Sequence, residues 1–190
     1  MRNWKLKIKE KGFTIPELLV SLFMFSLIIG GATNLLLSGI AAQRSSLAMQ
    51  ELLDQSSFVA EYMTRALRQA KKELFVLSLP DVCLSARGLN YEITQDGQGV
   101  KFLNSVGQCQ EFFLDSGIIK ERLSAEEFLT SDNLNVTLLQ FVLQGEGQDD
   151  DLQPRVTFAF EIEGQGAKPE SRPKLQFQTT ISQRNVDVPQ

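Results

Sequence analysis

The sequence contains no histidine and only two cysteines among its 190 residues. The absence of histidine excludes Ser-His-Asp and Cys-His nucleophile systems, histidine general bases and most zinc sites. Cys83 and Cys109 are too few and too far apart in sequence for a CxxC redox or zinc motif. We therefore predict that the protein is not an enzyme and that it uses no cofactor and no metal.

Charged residues are missing from Leu18 to Ala42. At a rise of about 1.5 Å per residue, a helix of this length crosses a hydrocarbon core of roughly 30 Å with some tilt. Its apolar character continues all the way round, which disfavours a buried core helix. A secretory signal peptide fits poorly, because the run is too long and helical patterning continues after it. We predict a membrane-spanning helix.

Basic residues are concentrated at the N-terminus. The first twelve residues hold five basic residues and one acidic residue, which leaves 14 basic and 22 acidic residues, a net charge of -8, in the rest of the chain. By the positive-inside rule, the basic leader lies in the cytoplasm and the C-terminal body lies outside. The whole-chain charge of -4 gives no reason to expect a nucleic-acid partner.

Proline and glycine are absent from Ala41 to Leu79. Apolar residues recur there at helical intervals of three and four, with one of seven, at Ala48, Leu52, Val59, Met63, Ala66, Ala70 and Leu74. Leu53, Tyr62 and Leu67 widen this stripe. We predict one continuous helix from about Thr14 to about Leu77, amphipathic in its second half and stopped by Pro80.

The pattern changes to alternation after Pro80. Two hairpins are predicted, one from Leu89–Ile93 to Val100–Leu103 and one from Gln110–Leu114 to Ile118–Arg122. Three further strands are predicted. In the first, one face is shared by Val136, Leu138, Gln140 and Val142, and in the other two, Val156 to Ile162 and Leu175 to Ile181, apolar residues alternate with others. A short helix at Ser124 to Leu129 is also predicted. The fold class is therefore α+β, a long N-terminal helix packed on an antiparallel β-sheet head.

A specific motif precedes the apolar segment. Lys11-Gly12, followed by Phe13-Thr14-Ile15-Pro16-Glu17 and the apolar helix, resembles the class III signal of type IV pilins and pseudopilins. The resemblance implies that a prepilin peptidase cleaves between Gly12 and Phe13 and methylates the new amine of Phe13. It also implies that Glu17, the fifth mature residue, pairs with the Phe13 amine of a neighbouring subunit during assembly. A local alternative for Glu17 is a capping box with Thr14.

The resemblance also implies a domain organisation and a function. Residues 1–12 are the cleaved leader, 13–42 the transmembrane and filament-core helix, 43–77 the amphipathic helix on the head, and 78–190 the exported β-rich head. The expected function is that of a structural subunit, more in keeping with a minor pilin or pseudopilin, that moves from the inner membrane into a surface or periplasmic filament. Expected partners are the prepilin peptidase, other pilin or pseudopilin subunits, the inner-membrane assembly platform and, before assembly, the lipid bilayer. The alternative is a single-pass anchored binding or adhesin module that does not polymerise.

Two features of the exported part leave alternatives open. Cys83 and Cys109 either form a disulfide that closes a loop of about 26 residues or remain two buried thiols. Asp149-Asp150-Asp151 is either a solvated loop or a calcium site, and the solvated loop is favoured because EF-hand spacing is absent.

Overall fold

The computed structural model describes residues 12–74, 82–145, 152–164 and 172–184. The chain divides into two compact units, Met1–Arg44 and Ser45–Gln190. A single helix, α1, runs over Ile15–Arg68, and the α+β fold class predicted from the sequence is confirmed. The strands that follow are β1 (Tyr91–Thr94), β2 (Gly99–Leu103), β3 (Cys109–Asp115), β4 (Ile118–Arg122), β5 (Glu126–Phe128), β6 (Leu134–Gln144), β7 (Arg155–Gly164) and β8 (Lys174–Ser182).

The part of α1 that lies in the second unit is amphipathic, as predicted. Its buried residues are Leu52, Ser56, Val59, Ala60, Met63 and Leu67. Leu53 and Leu74 are exceptions to the predicted stripe, with 43% and 48% of their surface exposed. Because each large apolar side chain that is fully buried contributes about 1.5–3 kcal/mol, this face fixes the helix to the head.

The helix ends at Arg68, so the prediction that it continues to about Leu77 is wrong. The backbone N–H of Lys71 donates to the carbonyl of Leu103 at 2.8 Å, and that of Glu73 donates to the carbonyl of Leu89 at 2.8 Å. The acceptors are the last residue of β2 and a residue just before β1. These N–H groups therefore do not continue the hydrogen bonds of the helix. The helix therefore stops before the proline that was expected to end it.

The first sheet is an antiparallel meander with the order β1-β2-β3-β4-β5. Both predicted hairpins are present, with Tyr91 opposite Phe102 and Asp115 opposite Ile118. The turn between β3 and β4 requires glycine at Gly117, whose φ is +80° and where an added Cβ would lie 2.3 Å from Asn135 Oδ1.

The predicted helix at Ser124 to Leu129 is wrong, because Glu126–Phe128 forms strand β5. Residues of β5 lie opposite β4, with Arg122 opposite Glu126 and Lys120 opposite Phe128. Arg122 Nη2 lies 2.7 Å from Glu126 Oε1, and Lys120 Nζ lies 5.2 Å from the centre of the Phe128 ring. These cross-strand contacts favour the strand over the local capping pattern.

The remaining strands form a second sheet with the order β6-β7-β8, whereas the sequence suggested one sheet. All three strands were predicted in place, but the apolar face predicted for β6 is wrong. A register shift between Val136 and Leu138 leaves Leu138 and Val142 exposed and buries Leu139 and Phe141. Phenylalanines dominate the buried face of this sheet, where Phe160 and Phe177 stack with ring centres 5.3 Å apart and Phe158 lies 6.0 Å from Phe177. They join one core cluster with α1 and the first sheet, which supplies Tyr91, Phe102 and Phe112 among others.

Cys83 and Cys109 are joined by a disulfide, with their Cα atoms 5.2 Å apart. Cys109 begins β3, and Cys83 lies 26 residues earlier. The backbone N–H of Cys83 donates to Glu73 Oε2 at 3.3 Å. The disulfide therefore ties the segment that follows α1 to the first sheet.

A buried carboxylate lies between α1 and the first sheet. Glu121 is 7% exposed and accepts a hydrogen bond from the Tyr62 hydroxyl at 2.8 Å and another from the Gln110 amide. Burial raises the pKa of Tyr62 to about 12, and the hydrogen bond to Glu121 and the charge of Glu121 act in the same direction. The neutral phenol is thus the form that this site stabilises.

Removal of the disulfide should destabilise the head without changing its fold. For the double variant Cys83→Ser with Cys109→Ser, we expect a loss of about 2–4 kcal/mol in the free energy of unfolding, since the closed loop restricts the unfolded chain. Urea unfolding under oxidising conditions measures this, with Ser85→Ala as a control nearby. An unchanged unfolding midpoint would show that the crosslink does not stabilise the head.

The Tyr62–Glu121 contact predicts a loss of stability in alkali. The pKa of Tyr62 is about 12 in the folded chain, whereas that of an unperturbed tyrosine is about 10. Above pH 10 the unfolded state therefore releases the phenol proton first, and stability falls as pH rises from about 10 to 12. In Tyr62→Phe this fall should be smaller, although stability at pH 7 is lower because Glu121 loses a donor.

Urea midpoints at pH 8, 10 and 11 measure this effect. Tyr91→Phe is the comparison, because burial also raises the pKa of Tyr91. Parallel pH dependence in wild type and Tyr62→Phe would contradict the assignment to Tyr62.

Candidate functional site: the N-terminal processing and assembly segment

The predicted cleavage residues lie directly before α1. Gly12, Phe13 and Thr14 are exposed and not helical, and α1 begins at Ile15. Phe13 exposes 77% of its surface, and a Cβ added to Gly12 would meet nothing within 4 Å. Exposed, non-helical backbone of this kind is accessible to a peptidase.

Glu17 lies in the first turn of α1, and its side chain is exposed. A carboxylate at this end suits the positive end of the helix dipole. The backbone N–H of Leu18 donates to the carbonyl of Thr14 at 3.1 Å, which closes the first helical turn. In the described part of the chain, the side chains of Thr14 and Glu17 form no hydrogen bond, so the capping box is not formed and both carboxylate oxygens remain open to a partner.

The helix that follows is apolar and exposed. One helix in the described residues is long and apolar enough to cross a membrane by length and composition, and its most apolar window has a mean hydropathy of 1.9 with none of it buried. Large apolar side chains cover it on all sides, among them Leu18, Leu19, Val20, Leu22, Phe23 and Phe25. The segment therefore has a surface suited to lipid or to other apolar helices.

Three hydroxyl groups in this segment are satisfied within the helix. Ser21 donates to the carbonyl of Glu17, Ser26 to that of Leu22 and Thr33 to that of Ile29, each at 2.8 Å. These bonds to the carbonyl four residues earlier lower the cost of placing hydroxyls in lipid.

Asn34 is a polar residue whose role the sequence did not reveal. It is exposed on the same helix, and its amide forms no hydrogen bond within the described residues. An amide in this position is satisfied when it bonds to a neighbouring helix. The signal in the sequence was an asparagine in the middle of a charge-free run.

Charged residues on the solvent-side face of the first sheet pair with each other. Arg122 Nη1 lies 2.6 Å from Glu111 Oε2, and the guanidinium lies 4.5 Å from the centre of the Phe113 ring. The hydrogen bond to Glu126 is the main cause that raises the pKa of Arg122. Lys120 pairs with Asp115, so this surface presents balanced charge rather than a basic stripe for nucleic acid.

The described residues contain no arrangement that resembles a catalytic or metal centre. Glu111 and Glu121 are the buried carboxylates of β3 and β4, but Glu111 lies opposite Arg122, so Glu121 projects from the other face of the sheet. No group of three or more Cys, Asp or Glu side chains within these residues could hold a metal ion. The Asp149-Asp150-Asp151 segment lies outside the described residues.

One open groove in the second unit has an apolar lining. Its volume is about 730 Å³, and Phe58 and Phe128 line it while exposing 55% and 69% of their surfaces. Thr130, Ser131 and Asp132 add polar groups on one side. Within this lining the Ser131 hydroxyl donates to Asp132 Oδ1 at 3.3 Å.

A comparison with protein families matches the family model described as the prokaryotic N-terminal methylation motif to residues 7–33. No curated protein and no solved structure shows significant similarity to the chain. The matched range contains Gly12, Phe13, Glu17 and the start of the apolar segment. The motif implies processing by a prepilin peptidase, and the apolar helix is consistent with a membrane-anchored precursor. The match therefore identifies residues 7–33 as a class III signal, and in this segment the chain is similar to type IV pilins.

Proposed function

We propose that the protein is a structural subunit of a type IV pilus-like or pseudopilus filament, assembled through its N-terminal helix. The peptidase cleaves between Gly12 and Phe13 and methylates the amine of Phe13. The methylation motif carries this proposal. The exposed Gly12–Phe13 junction and the apolar helix after it support the proposal.

Glu17 gives the assembly step a physical basis. A carboxylate among apolar helices is costly unless it meets a cation. Within the described residues Glu17 has no such partner, and cleavage would create one, the Phe13 amine of a neighbouring subunit. In any other register of two neighbouring helices, the Glu17 carboxylate would be buried without a partner, which is unfavourable. The pair therefore sets the axial step between subunits. The amide of Asn34 adds a second contact that a neighbouring helix satisfies.

The basic leader supports an orientation with the head outside the cytoplasmic membrane, and the disulfide suits that compartment. We propose a minor rather than a major subunit, by resemblance to larger members of these families. The groove beside Phe58 and Phe128 favours one second candidate, a membrane-anchored binding module that does not polymerise.

The mature N-terminus tests the processing step. Mass spectrometry of the native protein should find a chain that begins at methylated Phe13. Gly12→Leu should block cleavage, because it places a bulky side chain at the cleaved bond. The control Asn3→Leu adds the same side chain outside the matched motif and should be processed normally. A native chain that retains residues 1–12 would refute this function and favour the anchored binding module.

Glu17→Gln tests the pairing. We expect normal cleavage but a drop in filament yield of roughly 100-fold, since loss of one partner of a buried charge pair costs about 3 kcal/mol or more. Shear fractions assayed with an antibody to the head measure filament yield. Glu10→Gln is the matched control, because cleavage removes that carboxylate before assembly. Equal yields from Glu17→Gln and wild type would exclude this role for Glu17.

A further inference from the structure

The side of α1 that faces away from the head carries a regular stripe within the second unit. Its members follow each other at alternating intervals of four and three residues, the spacing of a coiled-coil seam. They are Leu47, Glu51, Asp54, Phe58, Glu61, Arg65 and Arg68. All seven are exposed, and we call this set the outer stripe. Leu47 and Phe58 expose 57% and 55% of their surfaces, so the stripe has apolar as well as charged members.

The charges of the outer stripe are ordered along the helix. Glu51 and Asp54 come first, and Arg65 and Arg68 come last. Within the described residues Glu51, Asp54 and Arg68 form no ion pair. Arg65 bonds to Glu61 at 2.5 Å, but both side chains are about 70% exposed, at 69% and 71%, and such a pair contributes little. An acidic end and a basic end therefore lie on one face, where only the exposed Arg65–Glu61 pair joins opposite charges within the described residues.

Two parallel copies of this helix become complementary when one is displaced by 14 residues. Fourteen residues are two repeats of seven, so the displaced stripes still face each other. Arg65 of one copy then lies beside Glu51 of the other, and Arg68 lies beside Asp54. The displacement corresponds to about 21 Å along the helix axis. At zero displacement like charges would meet, which disfavours that register.

We propose that the outer stripe binds a second copy of this chain, parallel and displaced by two seven-residue repeats. This inference rests on the proposed function, because membrane anchoring of both copies by the same signal makes the helices parallel. The contact is head-to-tail rather than two-fold, so it leaves the acidic end of one copy and the basic end of the other free for further copies. The contact can form only where at least two copies of this chain are adjacent in the filament.

An antiparallel pair would also match the charges, with Glu51 opposite Arg68 and Asp54 opposite Arg65. Phe58 of one copy would then lie next to Phe58 of the other, close to the two-fold axis. In the displaced parallel pair these two residues are about 21 Å apart. Cysteine crosslinking distinguishes the two arrangements.

The experiment uses full-length chains in the membranes and filaments of cells that co-express two variants, each with one added cysteine beside the native Cys83–Cys109 disulfide. Leu47→Cys with Glu61→Cys retains both proposed charge pairs and should crosslink on mild oxidation. Leu53→Cys in place of Leu47→Cys is the matched control, since Leu53 is exposed but lies off the stripe, and it should not crosslink. A crosslink between two copies of Phe58→Cys would overturn the parallel arrangement, and absence of the Leu47–Glu61 crosslink would overturn the contact.

Charge reversal gives a second, independent readout on the same crosslinking background. Asp54→Arg should lower the yield of the Leu47–Glu61 crosslink about five-fold, because one attraction becomes a repulsion. Arg68→Asp alone should do the same, and both changes together should restore the yield. Both residues are exposed on the helix surface, so neither change disturbs the core. Failure of the double variant to recover would count against the Asp54–Arg68 pair.

The outcomes of these experiments distinguish a failure of this inference from a failure of the proposed function. If the wild-type chain begins at methylated Phe13 and enters filaments but charge reversal leaves the crosslink unchanged, the outer stripe is not the contact and the filament role stands. If the chain is never cleaved, the filament role is lost, and with it the reason for parallel copies.

Discussion

The burial of one face of α1 against both sheets is the interaction on which the rest of the molecule depends. Leu52, Val59, Met63 and Leu67 have no exposed surface, and they join the phenylalanines of both sheets in one core. Strand β6 also contacts strands of the first sheet, so the helix and the two sheets share one core. The helix is thus the central element of the head, and it is continuous with the apolar segment that begins at Ile15.

The segment that follows α1 is bound to the rest of the head by several hydrogen bonds, and the fixed position of α1 explains them. Once the helix is fixed, Lys71 and Glu73 donate backbone hydrogen bonds to residues at the ends of β1 and β2, and the Gln183 amide donates to the carbonyl of Ala70 at 2.6 Å. The disulfide between Cys83 and Cys109 adds a covalent link between the segment that follows α1 and the start of β3. The helix end is therefore anchored by groups that are distant in sequence.

The sequence predicts the parts of this fold that depend on local pattern. The hairpins were predictable because Asp96-Gly97 and Ser116-Gly117 mark turns between alternating strands. The end of α1 was not, because its cause lies in hydrogen bonds from Lys71 and Glu73 to distant strands. Strand β5 was missed because a capping pattern competes locally with cross-strand contacts that only the folded sheet provides.

The candidate site shows the same division between local and non-local information. The class III signal is a local motif, so Gly12, Phe13 and Glu17 were visible at once. The spacing of the outer stripe is present in the sequence. The stripe could not be recognised there, because only the structure shows which face of α1 the head covers. Division of the strands into two sheets also depends on contacts between distant residues, which periodicity does not encode.

The three uncompensated features of α1 are consistent with one kind of assembly. In the proposed filament, neighbouring parallel helices would satisfy the Glu17 carboxylate, the exposed apolar segment and the ordered charges of the outer stripe. A pair between Glu17 and the Phe13 amine implies a displacement of four residues, roughly 6 Å, whereas the outer stripe implies about 21 Å. One neighbour cannot satisfy both displacements. In a helical array, however, a subunit contacts several neighbours that differ in their axial offset, so the two contacts belong to different neighbours. A two-fold dimer offers only one offset, so the two proposed contacts together fit a filament rather than a closed pair.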